Sequence, residues 1–132
     1  MPLTRLIYSS RPVAFNEATL RDILRTARRV NIEHAVSGCL MCRDDIYLQL
    51  LEGPKKAVEQ IFSNICADPR HGSVVRLLDE PIERRFFPGW SMRTDMMHFY
   101  SPEEIASGAV ERAPQAELLE AFAQMAEIPP SM

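Results

Sequence analysis

The chain predicts an α+β fold: a ferredoxin-like β-α-β-β-α-β sheet with an additional fifth strand, and C-terminal helices covering the other sheet face. Two observations carry this. Segments with apolar residues at helical spacing alternate with short strand-like runs in that order. The third strand-like run, Ile46-Tyr47-Leu48-Gln49-Leu50-Leu51, is apolar on both faces. Ile46, Leu48 and Leu50 point one way and Tyr47 and Leu51 the other, so each face of the sheet needs a cover.

Leu3 to Ser9 reads as the first strand, with Leu6 and Tyr8 on one face. Asn16 is the expected N-cap of a first helix, in which Leu20, Ile23, Leu24 and Ala27 recur at helical spacing to about Val30. Ser37 to Arg43 is the second strand, Asp44-Asp45 the turn, and Ile46 to Leu51 the returning third strand of a hairpin. Pro54 opens the second helix, where a missing N–H costs nothing, and Val58, Ile61, Phe62 and Ile65 form its stripe. The segment Asp68-Pro69-Arg70-His71-Gly72 ends it. Val74 to Asp79 reads as the fourth strand, and Trp90 to Arg93 as the start of a fifth after the Phe86-Phe87-Pro88-Gly89 turn. Ser101-Pro102-Glu103-Glu104 has the form of a capping box. Pro114 opens a last helix whose apolar positions are Leu118, Leu119, Phe122 and Met125.

Composition narrows the classes of function. A chain of 132 residues, 46% hydrophobic and 25% charged, is ordinary for one soluble globular domain. The net charge of −3 argues against a dedicated nucleic-acid binder, which needs clustered cations to neutralise phosphates. Arg21, Arg25, Arg28 and Arg29 share the first helix and read first as a solvated face, second as a place for an anionic ligand. No signal peptide and no apolar run of the ~20 residues a bilayer requires is visible, so no membrane association and a cytoplasmic location are expected. Three cysteines do not form a disulfide framework. Cys39 and Cys42 have the spacing of a zinc or redox pair, yet in a strand they point to opposite faces, and no metal is expected.

The most informative residue is Gln49. Leaving a buried polar group unpaired costs roughly 1–3 kcal/mol, so an amide inside an oily strand must find partners. It donates at one end and accepts at the other, so it can hold a heteroaromatic ligand and change its bonding by turning over.

Six short pieces then occur in order: Leu6-Ile7-Tyr8-Ser9-Ser10; Asn31; Ser37-Gly38-Cys39-Leu40; Gln49-Leu50-Leu51-Glu52-Gly53-Pro54; Asp68-Pro69-Arg70-His71; and Phe87-Pro88-Gly89-Trp90-Ser91-Met92. With them the chain resembles the BLUF family, blue-light sensors that use flavin, over roughly residues 3–97. The resemblance implies residues 1–97 as a flavin-binding photosensory domain and 98–132 as a helical extension packing on the sheet. It implies non-covalent FAD between the two helices, with Tyr8 as the photochemical tyrosine and Gln49 as the switching glutamine. Asn31 would bond the polar edge of the ring, Ile23 would pack on it, and Arg70 and His71 would lie near its pyrimidine side. Light-driven electron and proton transfer from Tyr8 to the flavin would leave the Gln49 hydrogen bonds rearranged, in a reversible, red-shifted signalling state. Trp90 and Met92 would relay that change through the fifth strand and the C-terminal helices to an unidentified partner protein. A homo-oligomer is expected, and no enzymatic activity of the chain's own. Val30 and Leu48 depart from the residues that members often carry, and the region after about Tyr100 carries little of the motif.

Taken singly, these residues have blander readings. Tyr8 reads as a core-edge tyrosine, Gln49 as a residue of an exposed edge strand, Asn31 as a helix C-cap, His71 as a loop histidine, and Trp90 and Met92 as core. Three further readings compete: a flavin-dependent redox enzyme, for which no glycine-rich dinucleotide fingerprint is present; a ferredoxin-like enzyme such as an acylphosphatase, for which a phosphate-cradling loop is missing; and a cofactor-free interaction module.

Overall fold

The computed structural model describes residues 2–13, 16–43, 46–97 and 100–127; the expected Asp44-Asp45 turn and His98 lie outside them. The elements are β1 (Leu3–Pro12), α1 (Glu17–Glu33), β2 (Ser37–Arg43), β3 (Ile46–Pro54), α2 (Lys55–Ala67), β4 (His71–Ile82), β5 (Arg93–Met96), α3 (Pro102–Ala106) and α4 (Gln115–Glu127). The sheet order is β4-β1-β3-β2-β5. The neighbouring pairs β4–β1, β1–β3 and β3–β2 are antiparallel, and β5 joins β2 in parallel. This is the expected ferredoxin-like sheet with its fifth strand.

Alternation along the strands builds two cores. Leu6, Tyr8, Leu40, Tyr47 and Leu51 face α1 and α2, where they meet Ile23, Leu24, Val58, Ile61 and Phe62. Ile7, Cys39, Met41, Ile46, Leu48 and Leu50 face the other way, under Ile105, Val110, Leu118, Phe122 and Met125. The C-terminal helices therefore cover the second face, as the two-sided apolar run required. Cys39 and Cys42 fall in different cores.

The predicted caps form. Asn16 Oδ1 accepts from the Thr19 N–H at 2.9 Å. Ser101 Oγ accepts from the Glu104 N–H at 3.1 Å while Glu104 Oε1 accepts from the Ser101 N–H at 2.9 Å. Several boundaries differ: β1, β3 and β4 run longer than expected, to Pro12, to Pro54 and over His71–Ile82, so Pro54 ends β3 and α2 starts at Lys55. α1 runs past Val30 to Glu33 and stops where Ala35 takes a φ of 57°. Asn31 is therefore inside the helix and His34 is the C-cap. The fifth strand starts at Arg93, so Trp90, Ser91 and Met92 precede it. The reason is that two of their carbonyls are taken by side chains of α1 (Arg28 and Asn31) rather than by a ladder. The chain reaches them through Gly89, whose φ of 88° favours glycine.

Candidate functional site

Tyr8 and Gln49 are directly opposed in the β1–β3 pairing, and Leu40 opposes Gln49 from β2. Opposed residues of an antiparallel pair project on the same side, so register alone brings the phenol to the amide. The Tyr8 hydroxyl donates to Gln49 Oε1. Gln49 Nε2 donates to Met92 Sδ at 3.4 Å. Gln49 is 2% exposed and sits on an interior strand, not an edge; β4 and β5 are the edges.

Above this row a cleft opens between α1 and α2. Its α1 wall is Ile23, Thr26, Ala27, Val30 and Asn31; its α2 wall is Ile61, Asn64 and Ile65. Gln49, Leu51, Asp68, Arg70 and His71 complete it. Five of the eight predicted site residues thus converge: Ile23, Asn31, Gln49, Arg70 and His71. Tyr8 is fully buried and reaches the cleft through Gln49 rather than forming its wall. Met92 is buried against Gln49, whereas Trp90 is 37% exposed and away from the cleft. Of the two relay candidates, Met92 is the one that touches the amide.

Asn31 is fully buried. Its Nδ2 donates to the Ser91 carbonyl at 2.6 Å, and its Oδ1 is buried with no hydrogen-bond partner. A lone amide oxygen at a cleft wall is an acceptor awaiting a donor. Arg28, one turn earlier, donates from Nε and Nη2 to the Met92 carbonyl, both at 3.2 Å. α1 thus forms one wall of the cleft and also holds the segment that carries Met92.

At the other end Arg70 chelates Asp68, with Nη2 to Oδ2 at 2.6 Å and Nε to Oδ1 and Oδ2 at 3.1 and 3.0 Å. Those bonds hold the Asp68 carboxyl below the usual carboxylate range and raise the guanidinium. His71 opens β4 instead of lying in a loop; its Nδ1 is 2.9 Å from Ser10 Oγ, and its ring meets Tyr8 and Tyr47 edge-on at 6.3 and 5.8 Å. Burial lowers the His71 pKa, which favours the neutral ring. Burial also raises the pKa of the Tyr8 phenol far above its ordinary value, so Tyr8 keeps its proton at neutral pH.

Sequence reasoning missed Thr26, Asn64 and Asp68 on the cleft wall. A signal for them existed. Thr26 follows Ile23 by three and Asn64 follows Ile61 by three, which places polar groups inside two apolar helical stripes.

Among the described residues, no helix is long and apolar enough to cross a membrane. The family model described as sensors of blue-light using FAD matches residues 3–93. The photoactivated adenylate cyclase subunit beta of Euglena gracilis is 34% identical over 91 residues, 68% of this chain and 10% of that protein. The blue light- and temperature-regulated antirepressor BluF of Escherichia coli (strain K12) is 39% identical over 87 residues, 64% of this chain and 21% of that one. The chain therefore spans a tenth to a fifth of the length of these two relatives. Among solved structures, the dark state of BlrB, a BLUF protein, is similar with a TM-score of 0.78 at 30% identity, covering 94% of this chain and 97% of that one. The photo-activated state of BlsA is similar with a TM-score of 0.81 at 26% identity, covering 98% and 99%. On sequence and on fold alike, this chain belongs to the BLUF family of flavin-using blue-light sensors.

Proposed function

We propose that the α1–α2 cleft holds FAD and that Tyr8, Gln49 and Met92 form a light-operated hydrogen-bond switch beneath it. The observation that carries this reading is the continuous contact from the Tyr8 hydroxyl through the Gln49 amide to the Met92 thioether, at the floor of a cleft with an unpartnered acceptor, Asn31 Oδ1. The donor set fits a flavin. Its ring offers an N–H for Asn31 Oδ1 and carbonyls for N–H donors, while Ile23 and Ile61 offer apolar flanks. Arg70 and His71 supply polar groups at the β4 end.

When bound, the flavin supplies blue-light absorption and a strongly oxidising excited state. With flavin held in the cleft, Tyr8 would be the residue placed to give it an electron and the hydroxyl proton and to take both back. Gln49 is the residue left with different partners. Its present orientation rests on unlike neighbours, a hydroxyl donor at Oε1 and a weak sulfur acceptor at Nε2. Turning the amide over sets its N–H₂ against the Tyr8 hydroxyl and its oxygen against a sulfur that cannot donate. The turned amide oxygen therefore needs a new donor, and the turned state releases Met92. That release is the signal. It passes into β5 and the C-terminal helices and biases a partner by differing affinity for the two states.

On this reading residues 1–97 are the sensory unit and 98–132 the extension that relays its state. The chain works as a cytoplasmic photoreceptor in a homo-oligomer, with a separate protein rather than its own catalysis as output. The test is the visible spectrum of the purified chain in darkness and under blue light. A yellow protein with a small red shift that reverses in the dark supports the reading. A flavin that stays bound and unshifted, or is steadily bleached by a nicotinamide donor, refutes it.

A further inference from the structure

Arg93 is 3% exposed, yet it ends in a guanidinium. Its partners come from three places. Nε donates to Asp95 Oδ2 at 2.7 Å within β5. Nη2 lies 3.7 Å from Met125 Sδ of α4. The guanidinium carbon stands 5.7 Å over the Trp90 ring. A buried cation is costly unless paired, so this group cannot leave its partners without penalty.

Its place in the chain gives these contacts a direction. Met92 sits in the core beneath α1 and α2, against Gln49. Arg93, the next residue, opposes Cys39, which belongs to the core beneath α4. Consecutive residues therefore carry the Gln49 contact on one face of the sheet and the α4 contact on the other. β5 is four residues long, at an edge, and held by one parallel neighbour, so it is the strand with the fewest ladder bonds to resist a shift.

We propose that Arg93 is the positioning residue that couples the Met92 segment to α4, its planar fork passing a displacement at Met92 through the sheet to Met125. This inference rests on the reading of Gln49 and Met92 given above. A guanidinium suits the task because its donors are fixed in one plane, so it turns as a unit when its backbone moves.

The test uses the full chain with FAD. It reads two signals, the blue-light spectral shift and the light-minus-dark difference in amide hydrogen exchange across Gln115–Glu127. The wild type should show both. Arg93→Met should keep the spectral shift and lose the exchange difference. Asp95→Asn, which keeps the guanidinium but removes its carboxylate, should keep the shift and reduce the difference; it decides the question if Arg93→Met does not fold. A purely structural Arg93 would raise α4 exchange equally in darkness and light, leaving the difference intact, and that result overturns the proposal. So does a wild type that shifts its spectrum with no response in α4. A wild type with no spectral shift overturns the underlying reading of Gln49 instead.

Discussion

The contact between Tyr8 and Gln49 can be weighed by a double-mutant cycle. Both groups are buried, and the Tyr8 hydroxyl donates to Gln49 Oε1. Gln49→Leu fills similar space but leaves the hydroxyl without its acceptor, and an orphaned buried donor costs about 1–3 kcal/mol. Tyr8→Phe orphans Gln49 Oε1 at a similar cost, about 1–3 kcal/mol. In the double variant neither orphan exists, because both partners are replaced by apolar groups. Its loss should fall short of the sum of the single losses by about 1–3 kcal/mol. The assay is urea unfolding in the dark at one fixed FAD concentration, so that ligand linkage is common to all four proteins. Both single variants should retain flavin and lack the red-shifted state. Losses that add to within about 0.5 kcal/mol would show that the two groups act independently and would refute the switch geometry. A normal photocycle in either single variant would be equally damaging.

Glu52 is fully buried at the end of β3 and holds the connector between β4 and β5. Its carboxylate accepts from Arg5 Nε at 2.9 Å and from the N–H groups of Phe86 and Phe87 at 2.8 to 3.0 Å. Glu52→Gln leaves Arg5 without its buried counter-charge and turns an N–H₂ toward donors, so unfolding free energy should drop by about 3 kcal/mol in urea titration; a loss below about 1 kcal/mol would contradict the clamp. His71 contributes the upper part of the acid limb of stability, above the range where Asp68 titrates. Its pKa is depressed in the folded chain, so as pH falls below about 6.5 the unfolded state takes up a proton that the native state resists. Stability is complete above that pH and declines below it. The urea midpoint should therefore fall more steeply between pH 7 and pH 5 in wild type than in His71→Gln, and equal slopes would exclude His71 as the cause.

Much of this was legible locally. The capping residues Asn16 and Ser101 act on N–H groups three residues away, and the strand alternation sorted Tyr47 and Leu51 from Leu48 and Leu50 before any contact was known. Gln49 was conspicuous because an amide in an oily run violates the pattern around it, and sites are where such violations concentrate. What escaped was set by distance along the chain. Residues 90–92 carry strand-like side chains, which predict a strand. The Ser91 and Met92 carbonyls accept from Asn31 and Arg28, sixty and more positions earlier, and no local pattern records that. The C-cap reading of Asn31 fails for a related reason. It resembles a helix C-cap, but the helix continues past it, and its amide faces both the cleft and Ser91.

The connector between β4 and β5 draws these threads together. It is held at one end by Glu52, through Phe86 and Phe87, and at the other by Asn31 and Arg28, through Ser91 and Met92. Between these clamps stand Gly89, with open space where a Cβ would project, and the half-exposed Trp90. Shifting a strand inside the sheet breaks a ladder of bonds at once, whereas shifting the Met92 end of this arc breaks the side-chain bonds from Asn31 and Arg28 and one backbone bond, from the Gly38 N–H to the Trp90 carbonyl, at about 1 kcal/mol each. Its Met92 end takes the Gln49 N–H, and the switch therefore acts where the fold resists least. An amide reorientation is worth only a few hydrogen bonds, about the scale of what holds the arc and too little to move an interior strand.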